Sequence, residues 1–391
     1  MRNQAPKRYT RWHLLFAVAL TLLITLGGTA LAAWLVLGPE SLTLLEGYGL
    51  IRNRFVGEYD ADKVIDGAME GMVSALGDRW SYYLDADSYA AEQERRANAY
   101  VGIGVTVDQS REEGLYIVSV NEKGPAHEAG LTAGEVITAV DGTSIAGDAR
   151  AEGADLIRGE EGSQVELTVL GADGTTRTVM VTRKSIEEDP VSYEMLDGQV
   201  GYVRIENFFT GSAEQMEAAV ESLVGDGAEK LVFDVRNNGG GYLSELKLML
   251  DRLLPEGVIF RTTSYSGQEE VTHSDAECVS LPIAVLVNAD SYSAAEIFAG
   301  ELQEAAGAII VGEPTSGKGY AQQTFPLPNG GALGISTMEY FTGNGVSLIG
   351  TGLTLDVETS LSEENQIAFV SGTLSHADDT QLQAALQALN G

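Results

Sequence analysis

Apolar residues are concentrated at the start of the chain, where Leu14 to Leu37 form an uncharged, mostly apolar run of 24 residues. A helix of that length spans roughly 36 Å at about 1.5 Å per residue, enough to cross a hydrocarbon core of about 30 Å. Residues 1–12 hold four basic side chains and no acid, and basic residues mark the cytoplasmic side of a membrane span. The pattern predicts a cytoplasmic tail over 1–12, a single-pass cell-membrane anchor over 13–38, and an extracytoplasmic location for the rest.

A secretory signal peptide is the alternative interpretation of this apolar run. Ala30-Leu31-Ala32 fits the small-x-small pattern of a cleavage site. Apolar residues continue past that site through Val36, which favours the retained anchor. Both interpretations place the bulk of the chain outside the cytoplasm.

Residues 39–98 have the pattern of amphipathic helices. Ile65, Met69, Met72, Val73 and Leu76 recur at helical spacing, as on one face of a helix. We therefore predict a helical scaffold over this stretch.

Short β-type runs replace the helical pattern over residues 99–185. They are Gly102–Val107, Tyr116–Val120, Val136–Val140 and Val165–Val169, and glycine-containing turns separate them. This stretch predicts a separate β domain.

From residue 186 to residue 391, strand and helix patterns alternate, which predicts a mixed α/β (α+β) domain. The strand candidates are Lys230–Val235, Pro282–Val287 and Ala308–Val311. Each runs into a polar or glycine-rich turn, and strong helix formers follow the second turn. The candidates for chemistry all lie in these turns.

Composition excludes several classes of function. The formal net charge of −33 argues against a nucleic-acid partner, because such binding depends on cationic neutralisation of phosphates. Cys278 is the only cysteine, so an intramolecular disulfide and a cysteine-based zinc site are both excluded.

Ser293 lies where the second strand turns into a helix, so free N–H groups at the helix N-terminus would face a developing oxyanion. Alone, such a serine is more often a helix cap. The presence of a general base would distinguish a nucleophile from a helix cap. The four histidines, His13, His127, His273 and His376, lie outside the strand-end turns. A Ser-His-Asp triad is unsupported by the pattern but stays open, because triads are recognised by geometry.

Lys318 is the stronger candidate for the base. It is the only lysine or arginine after Arg261, in a stretch rich in acids, and it stands between two glycines. A lysine acts as a base only when burial depresses its pKa toward about 7–8. The same segment, Gly312 to Gly319, is one residue short of a phosphate-binding loop, since Gly319 lacks the hydroxyl that would ligate Mg²⁺.

Two segments resemble the carboxyl-terminal processing peptidases, also called tail-specific proteases. Ser291-Tyr292-Ser293-Ala294-Ala295-Glu296 is similar to the family's nucleophile segment, and Ser316-Gly317-Lys318-Gly319-Tyr320-Ala321-Gln322 is similar to its base segment. The resemblance implies that Ser293 is the nucleophile, Lys318 the base and Gln322 the group that orients the lysine. It also implies a core of β-β-α units related to the crotonase-type architecture, and a reaction that needs no metal or organic cofactor.

Asn237-Asn238-Gly239-Gly240-Gly241 resembles the family's Asn-Asn-Pro-Gly-Gly turn. By this resemblance, Gly240 and Gly241 form the oxyanion hole together with the N–H of Ala294. Gly239 departs from the family pattern, because it replaces the usual proline.

The β domain resembles a bacterial PDZ domain through Gly124-Pro125-Ala126, Ala129-Gly130-Leu131 and Gly134-Glu135-Val136-Ile137. Its carboxylate-binding loop would be Gly102, Ile103, Gly104 and Val105, and a peptide would pair with the adjacent strand edge. Arg158 matches a family arginine that, in some members, links the PDZ domain to the active site.

The resemblance implies an extracytoplasmic serine endopeptidase that acts on proteins or peptides whose exposed C-terminus is captured by the PDZ domain. The alternative is a catalytically silent membrane receptor that keeps the PDZ domain. Self-association into a homo-oligomer is left open.

Overall fold

The computed structural model describes residues 11–390, apart from the side chains of residues 30 and 32–37. The chain divides into two compact units, residues 1–67 and 68–391. Of the predicted cytoplasmic tail, residues 1–10 lie outside the described residues.

The first unit is dominated by one long helix, α1 (Arg11–Arg54), which is interrupted at Gly38. Gly38 has φ +71° and is followed by Pro39, and the two residues break helical geometry because proline has no N–H to donate. This break coincides with the end of the predicted anchor. Within the described part of the chain, one helix is long and apolar enough to cross a membrane, over Arg11–Thr29, and a signal sequence passes the same test.

Three elements lie between α1 and the β domain in sequence. They are α2 (Ala61–Ser74), β1 (Tyr82–Leu84) and α3 (Ala86–Arg96). Asp85 caps α3 by accepting a hydrogen bond from the Ser88 N–H at 2.8 Å. The helical prediction for residues 39–98 is thus correct for most of the stretch, but the short strand β1 was not predicted.

The β domain folds around its own apolar core. Its elements are β2 (Ala99–Gly102), β3 (Val105–Arg111), β4 (Gly114–Val120), α4 (Pro125–Glu128), β5 (Val136–Val140), β6 (Thr143–Ser144), α5 (Arg150–Ile157), β7 (Gln164–Leu170), β8 (Thr176–Thr182) and β9 (Lys184–Glu187). The main sheet has the order β3-β4-β5-β7-β8, with β6 beside β5, while β2 and β9 form a separate antiparallel pair. The predicted strand Gly102–Val107 is broken at Gly104, whose φ is +79°.

The remaining chain forms a two-sheet α/β structure. Its elements are β10 (Val191–Leu196), β11 (Val200–Ile205), α6 (Ser212–Gly225), β12 (Lys230–Asp234), α7 (Leu243–Leu253), β13 (Gly257–Ser264), β14 (Glu269–Ser274), β15 (Ile283–Val287), α8 (Ala294–Ala306), β16 (Ile309–Gly312), β17 (Tyr320–Pro326), β18 (Ala332–Thr342), β19 (Val357–Glu358), α9 (Glu363–Val370) and α10 (Thr380–Ala388). The predicted mixed α/β class is confirmed.

The larger sheet has the order β10-β11-β12-β15-β16-β19, and it is parallel from β11 onward. All five residues of β15 are buried, as expected of a central parallel strand covered on both faces. Residues of α6, α7 and α8 form the core on one face, and Leu382 and Ala385 of α10 pack on the other.

The smaller sheet is built around β18, which pairs with β17 along one edge and with β1 and β13 along the other. The pairing of β1 with β18 joins Tyr82 to Gly334. A segment that precedes the β domain in sequence is therefore a structural part of the domain that follows it.

Candidate active site

Three neighbouring parallel strands, β12, β15 and β16, end at the same edge of the larger sheet. The turns that follow them carry Gly240 and Gly241, Ser293, and Lys318, respectively. Carboxyl ends of parallel strands are the usual location of sites in α/β folds. The predicted strand-end positions are thus brought together by the sheet.

Ser293 occupies the N-cap position of α8, but its backbone is unlike that of an ordinary cap. Its φ and ψ are 63° and −123°, whereas an N-cap residue normally has extended, negative-φ geometry. A non-glycine residue held in this region is strained, and such strain is concentrated at functional turns, including strand-to-helix turns that present a nucleophile. Ser293 therefore combines the capping position of α8, including the capping-box contact with Glu296, with a strained backbone that an ordinary cap does not have.

Glu296, one turn into α8, ties the Ser293 turn to the Lys318 turn. Its side chain is fully buried and accepts hydrogen bonds from the N–H groups of Ser293 (3.1 Å), Gly317 (2.8 Å) and Lys318 (3.0 Å). The Thr315 hydroxyl donates a further hydrogen bond at 2.6 Å. Burial raises the pKa of Glu296 above its ordinary value, while these hydrogen bonds favour the carboxylate and act in the opposite direction.

Lys318 is only 8% exposed, and burial lowers the pKa of its amine to about 8. That value also includes the positive charge of Arg96, which lowers the pKa, and the negative charges of Asp78 and Glu296, which raise it. The amine nitrogen lies 4.7 Å from the ring centroid of Trp80 and 5.6 Å from that of Tyr292. A lysine with this pKa is neutral in a useful fraction of molecules near neutral pH, as a general base must be.

Tyr340, on β18, contacts both candidates. Its hydroxyl donates a short hydrogen bond to the backbone oxygen of Lys318 and also interacts with the Ser293 side chain. Burial raises the pKa of Tyr340 well above its ordinary value, so this hydroxyl keeps its proton. Tyr340 therefore acts as a neutral hydrogen-bonding group between the two turns.

Of the three predicted oxyanion-hole residues, Gly240 lies directly against Ser293. A Cβ at Gly240 would lie 2.8 Å from both the Ser293 Cβ and the Ala294 nitrogen. The Gly240 N–H, however, donates to Asn238 Oδ1 at 2.8 Å. Across the described residues, the N–H groups of Gly241 and Ala294 have no hydrogen-bond acceptor, which leaves these two as the candidate donors to an oxyanion.

Gln322, on β17, is not hydrogen-bonded to Lys318. Its amide nitrogen donates to the Tyr320 backbone oxygen and to Ser336 Oγ, both at 2.9 Å. Ser336 in turn donates to Asp78 at 2.7 Å, and Asp78 acts electrostatically on Lys318. The structure thus connects Gln322 to the lysine through two intermediates.

The loop that carries Lys318 differs from a phosphate-binding loop. The N–H groups of Gly317 and Lys318 donate to Glu296 and would not be free to bind phosphate. The loop also leads into the strand β17, whereas a phosphate-binding loop leads into a helix. Both features argue against the nucleotide-binding alternative.

Comparison with protein families matches three parts of the chain. Residues 199–359 match Peptidase family S41, residues 116–171 match a PDZ domain, and residues 40–88 match the activating protease CtpB N-terminal domain. The carboxy-terminal processing protease CtpA of Bacillus subtilis is 30% identical, over 90% of this chain and 77% of that protein. The chain belongs to the carboxy-terminal processing proteases of family S41.

The same family includes a carboxy-terminal-processing protease of Bartonella bacilliformis, which is 32% identical over 78% of this chain and 72% of that protein. A solved Bacteroides fragilis protein classed among the S41 proteases has a TM-score of 0.54, with 18% identity over 88% of this chain and 96% of that chain. This last similarity shows a shared fold.

In this S41 family member, the PDZ loop joins the β2–β9 pair to the edge strand β3. Ile103 is buried and its backbone oxygen accepts from the Ala126 N–H at 2.8 Å. Gly102 ends β2 and Val105 begins β3, and Gly104 packs closely on Gly124. One edge of β3 is unpaired within the described sheet, so a peptide strand could add to it.

A cavity of about 560 Å³ lies beside this loop and is lined by Gly104, Val105 and Thr106 on one side and by Glu188 and Asp189 on the other. None of its lining residues is a catalytic candidate.

Arg158 lies at the C-terminal end of α5, with its side chain exposed. Its described electrostatic partner is Tyr100 of β2. The structure does not join Arg158 to Ser293 or Lys318 by a described hydrogen bond or ion pair, so coupling to the active site remains a prediction.

Sequence reasoning missed three groups at this candidate site: Glu296, Trp80 and Tyr340. For Glu296 a signal was present, because a serine followed three residues later by glutamate is the pattern of a capping box. Trp80 reaches the lysine because the neighbouring strand β1 pairs with β18, and Tyr340 reaches it because β18 pairs with β17, which follows the Lys318 turn. Local sequence patterns do not predict such contacts.

Proposed function

We propose that this S41 family member is a serine endopeptidase in which Ser293 is the nucleophile and Lys318 the general base. The observation that carries the proposal is the buried Glu296 carboxylate, which accepts hydrogen bonds from both the Ser293 and Lys318 N–H groups. This carboxylate supports the proposal because it joins the turn of the strained serine to the turn of a lysine with a pKa of about 8.

In the proposed reaction, the neutral amine of Lys318 removes the hydroxyl proton as Ser293 Oγ attacks the scissile carbonyl carbon. The carbonyl oxygen takes up the negative charge and is stabilised by the N–H groups of Gly241 and Ala294. The C–N bond then breaks, and the Lys318 ammonium returns the proton to the departing amine. Water, deprotonated by Lys318, hydrolyses the acyl-enzyme and regenerates Ser293.

We further propose that the PDZ domain captures an exposed substrate C-terminus. Freed N–H groups of the loop Gly102–Val105 would bind the terminal carboxylate, and the unpaired edge of β3 would pair with the preceding residues. The apolar helix Arg11–Thr29 supports an anchored protein whose catalytic domain lies outside the cytoplasm, with a cleaved signal peptide as the alternative.

The deciding experiment is an assay of the full chain in detergent with an unstructured protein substrate. We expect Ser293→Ala and Lys318→Ala to abolish cleavage, and the matched exposed changes Ser266→Ala and Lys247→Ala to preserve it. Equal cleavage by all five proteins would refute the assignment. Binding of a C-terminal peptide with no cleavage by any of them would support the catalytically silent receptor instead.

The location is tested on the same protein in its native membrane. We expect the chain to resist extraction with alkaline carbonate and to keep its N-terminal residues. A soluble chain that begins after Ala32 would show that the apolar segment is a signal peptide.

A further inference from the structure

Two aromatic side chains enclose the amine of Lys318. The ring centroids of Trp80 and Tyr292 lie 5.6 Å apart with an interplanar angle of 37°, and the Lys318 nitrogen lies 4.7 and 5.6 Å from them. Trp80 also packs under the guanidinium of Arg79, at 4.1 Å from the ring centroid. Trp80 comes from a segment that precedes the PDZ domain, whereas Tyr292 is next to Ser293.

The segment that carries Trp80 is fixed to the smaller sheet. Asp78 accepts hydrogen bonds from the Trp80 N–H (3.0 Å), Ser81 Oγ (2.6 Å) and Ser336 Oγ (2.7 Å). Ser81 Oγ then accepts from the Ser336 N–H at 3.1 Å, and β1 follows directly and pairs with β18. The indole therefore has a defined position over the lysine.

The position of the Tyr292 ring depends on the absence of a side chain at Gly239. A Cβ at Gly239 would lie 2.6 Å from the Tyr292 hydroxyl and 2.8 Å from its Cζ. The family's usual proline at this position would occupy the space of the tyrosine ring. Gly239, which stands where the family has proline, therefore leaves room for the Tyr292 ring, the second aromatic ring beside the Lys318 amine.

The charged groups around the amine come from every element that packs on it. Arg79 and Asp78 belong to the Trp80 segment, Arg96 to α3 and Glu296 to α8, and the uncharged Tyr340 lies on β18. Two of these groups are cations and two are anions, and they act in opposite directions on the lysine. Because these charges oppose one another, burial is the main factor that favours the neutral amine, and the rings of Trp80 and Tyr292 contribute to it by excluding water.

We propose that Trp80 is a positioning residue for the general base: its indole, with Tyr292, excludes water from Lys318 and holds the amine in place. Trp80 contacts neither Ser293 nor the scissile bond in this role and acts only through the lysine. The consequence for catalysis rests on the proposed function, but the effect on the lysine itself does not.

The experiment compares full chains that carry Trp80→Ala, Trp80→Gln or the conservative Trp80→Phe. Tyr265→Ala, at a ring that is 91% exposed, is the matched control for loss of an aromatic side chain. The first measurement is the pH dependence of Lys318 reductive methylation, followed by mass spectrometry, with the exposed Lys247 as the internal rate standard. The second is the pH profile of kcat/KM with an unstructured protein substrate.

We expect the labelling midpoint of Lys318 to move from about 8 toward the ordinary 10.5 in Trp80→Ala and Trp80→Gln, and to stay in place in Trp80→Phe and Tyr265→Ala. The acidic limb of kcat/KM should move with it. At pH 7 the loss of neutral amine would lower kcat/KM between about 10-fold and 300-fold, and the deficit should shrink as pH rises.

An unchanged Lys318 midpoint in a folded Trp80→Gln or Trp80→Ala chain would overturn the proposal. If one of the two variants shows no cooperative thermal unfolding, the other decides. If the Lys318 midpoint shifts as expected in the variants but the parent chain itself has no peptidase activity, the positioning role is sustained and the proposed function is refuted.

Discussion

At the scale of single residues, the site depends on how its charged groups are buried. Glu296 is the residue on which the others converge, since it accepts hydrogen bonds from both the Ser293 turn and the Lys318 turn. Because its partners are mostly backbone N–H groups, it fixes the positions of the Ser293 and Lys318 main chains. Its role is to position the two candidates, and it need not exchange a proton.

Replacement of Glu296 by glutamine tests this role. A glutamine retains the volume, but its amide nitrogen would face a backbone donor, and a buried N–H without an acceptor costs about 1–3 kcal/mol. Displacement of the lysine turn should lower kcat/KM about 10- to 100-fold. Steady-state kinetics would measure this, with the exposed Glu304→Gln on the same helix as control. A folded Glu296→Gln chain with unchanged kcat/KM would contradict the prediction.

Glu301, a turn and more along α8, gives a pH dependence to folding stability. Burial raises the pKa of its carboxyl to about 8 from an ordinary 4.5, and the carboxyl accepts from the Gly343 N–H at 2.6 Å. The folded chain therefore retains a proton that the unfolded chain has released between these values. The contribution of this group to stability is fully present below about pH 4.5 and is lost as pH rises through 8.

We expect Glu301→Gln to remove this loss, so that its Tm rises relative to the parent chain as pH increases from 5 to 8.5. Thermal unfolding at several pH values would measure the difference, with the exposed Glu214→Gln as control. Parallel Tm curves for Glu301→Gln and the parent chain would show that Glu301 does not titrate in this way.

At the scale of elements, the turn after β12 has to approach the start of α8 more closely than a side chain permits. Gly240 has φ +84° and lies against Ser293 and the Ala294 nitrogen. Gly241, the next residue, therefore also lies near the N-terminus of α8. The second sheet contributes in another way, because β1 and β18 supply the wall over Lys318.

Gly240→Ala should therefore abolish function without unfolding the domain. The added methyl would meet the Ser293 Cβ and the Ala294 nitrogen at 2.8 Å, so the two turns must separate and the oxyanion donors move apart. We expect kcat/KM to fall on the order of 100-fold or more. Gly225→Ala is the matched control, since nothing lies within 4 Å of a Cβ there; similar kinetics for the two variants would refute the close-contact argument.

At the scale of the whole molecule, a buried charge network ties the C-terminal helix to the central sheet. Arg236 is 2% exposed and pairs with Asp234 at 2.5 Å and with Asp379, the cap of α10, at 2.7 Å. Its guanidinium also packs over Phe369 at 4.2 Å. The network lies directly before the glycine turn of the candidate site, so it also fixes the start of that turn.

Arg236→Ala should destabilise the chain by about 3–5 kcal/mol, because it leaves two buried carboxylates without their cation. Urea unfolding would measure the change. Lys184→Ala, which breaks an exposed pair with Glu128, should cost less than about 1 kcal/mol. A cost for Arg236→Ala as small as that of Lys184→Ala would mean that the network does not stabilise the fold.

The sequence predicted the strand ends, the α/β class and the candidates Ser293 and Lys318. Each depends on a local pattern: a buried apolar run, a glycine-rich turn, or a lone cation in an acidic stretch. It predicted one continuous strand over Gly102–Val107, which the structure breaks at Gly104. Neighbouring residues alone decide such features, because a strand and its turn are set by a few adjacent residues.

The environment of the lysine could not be predicted in the same way. Arg79 donates to the Ser316 backbone oxygen across a separation of 237 positions, with the whole PDZ domain between them in sequence. Trp80 meets Lys318 only because β1 adds to the edge of β18, and Gln322 bonds to Ser336 because both belong to the paired strands β17 and β18. The sequence by itself determined which residue types could carry out the chemistry; the tertiary structure decided which of them are buried together, since burial and pKa depend on contacts between segments that are distant in the chain.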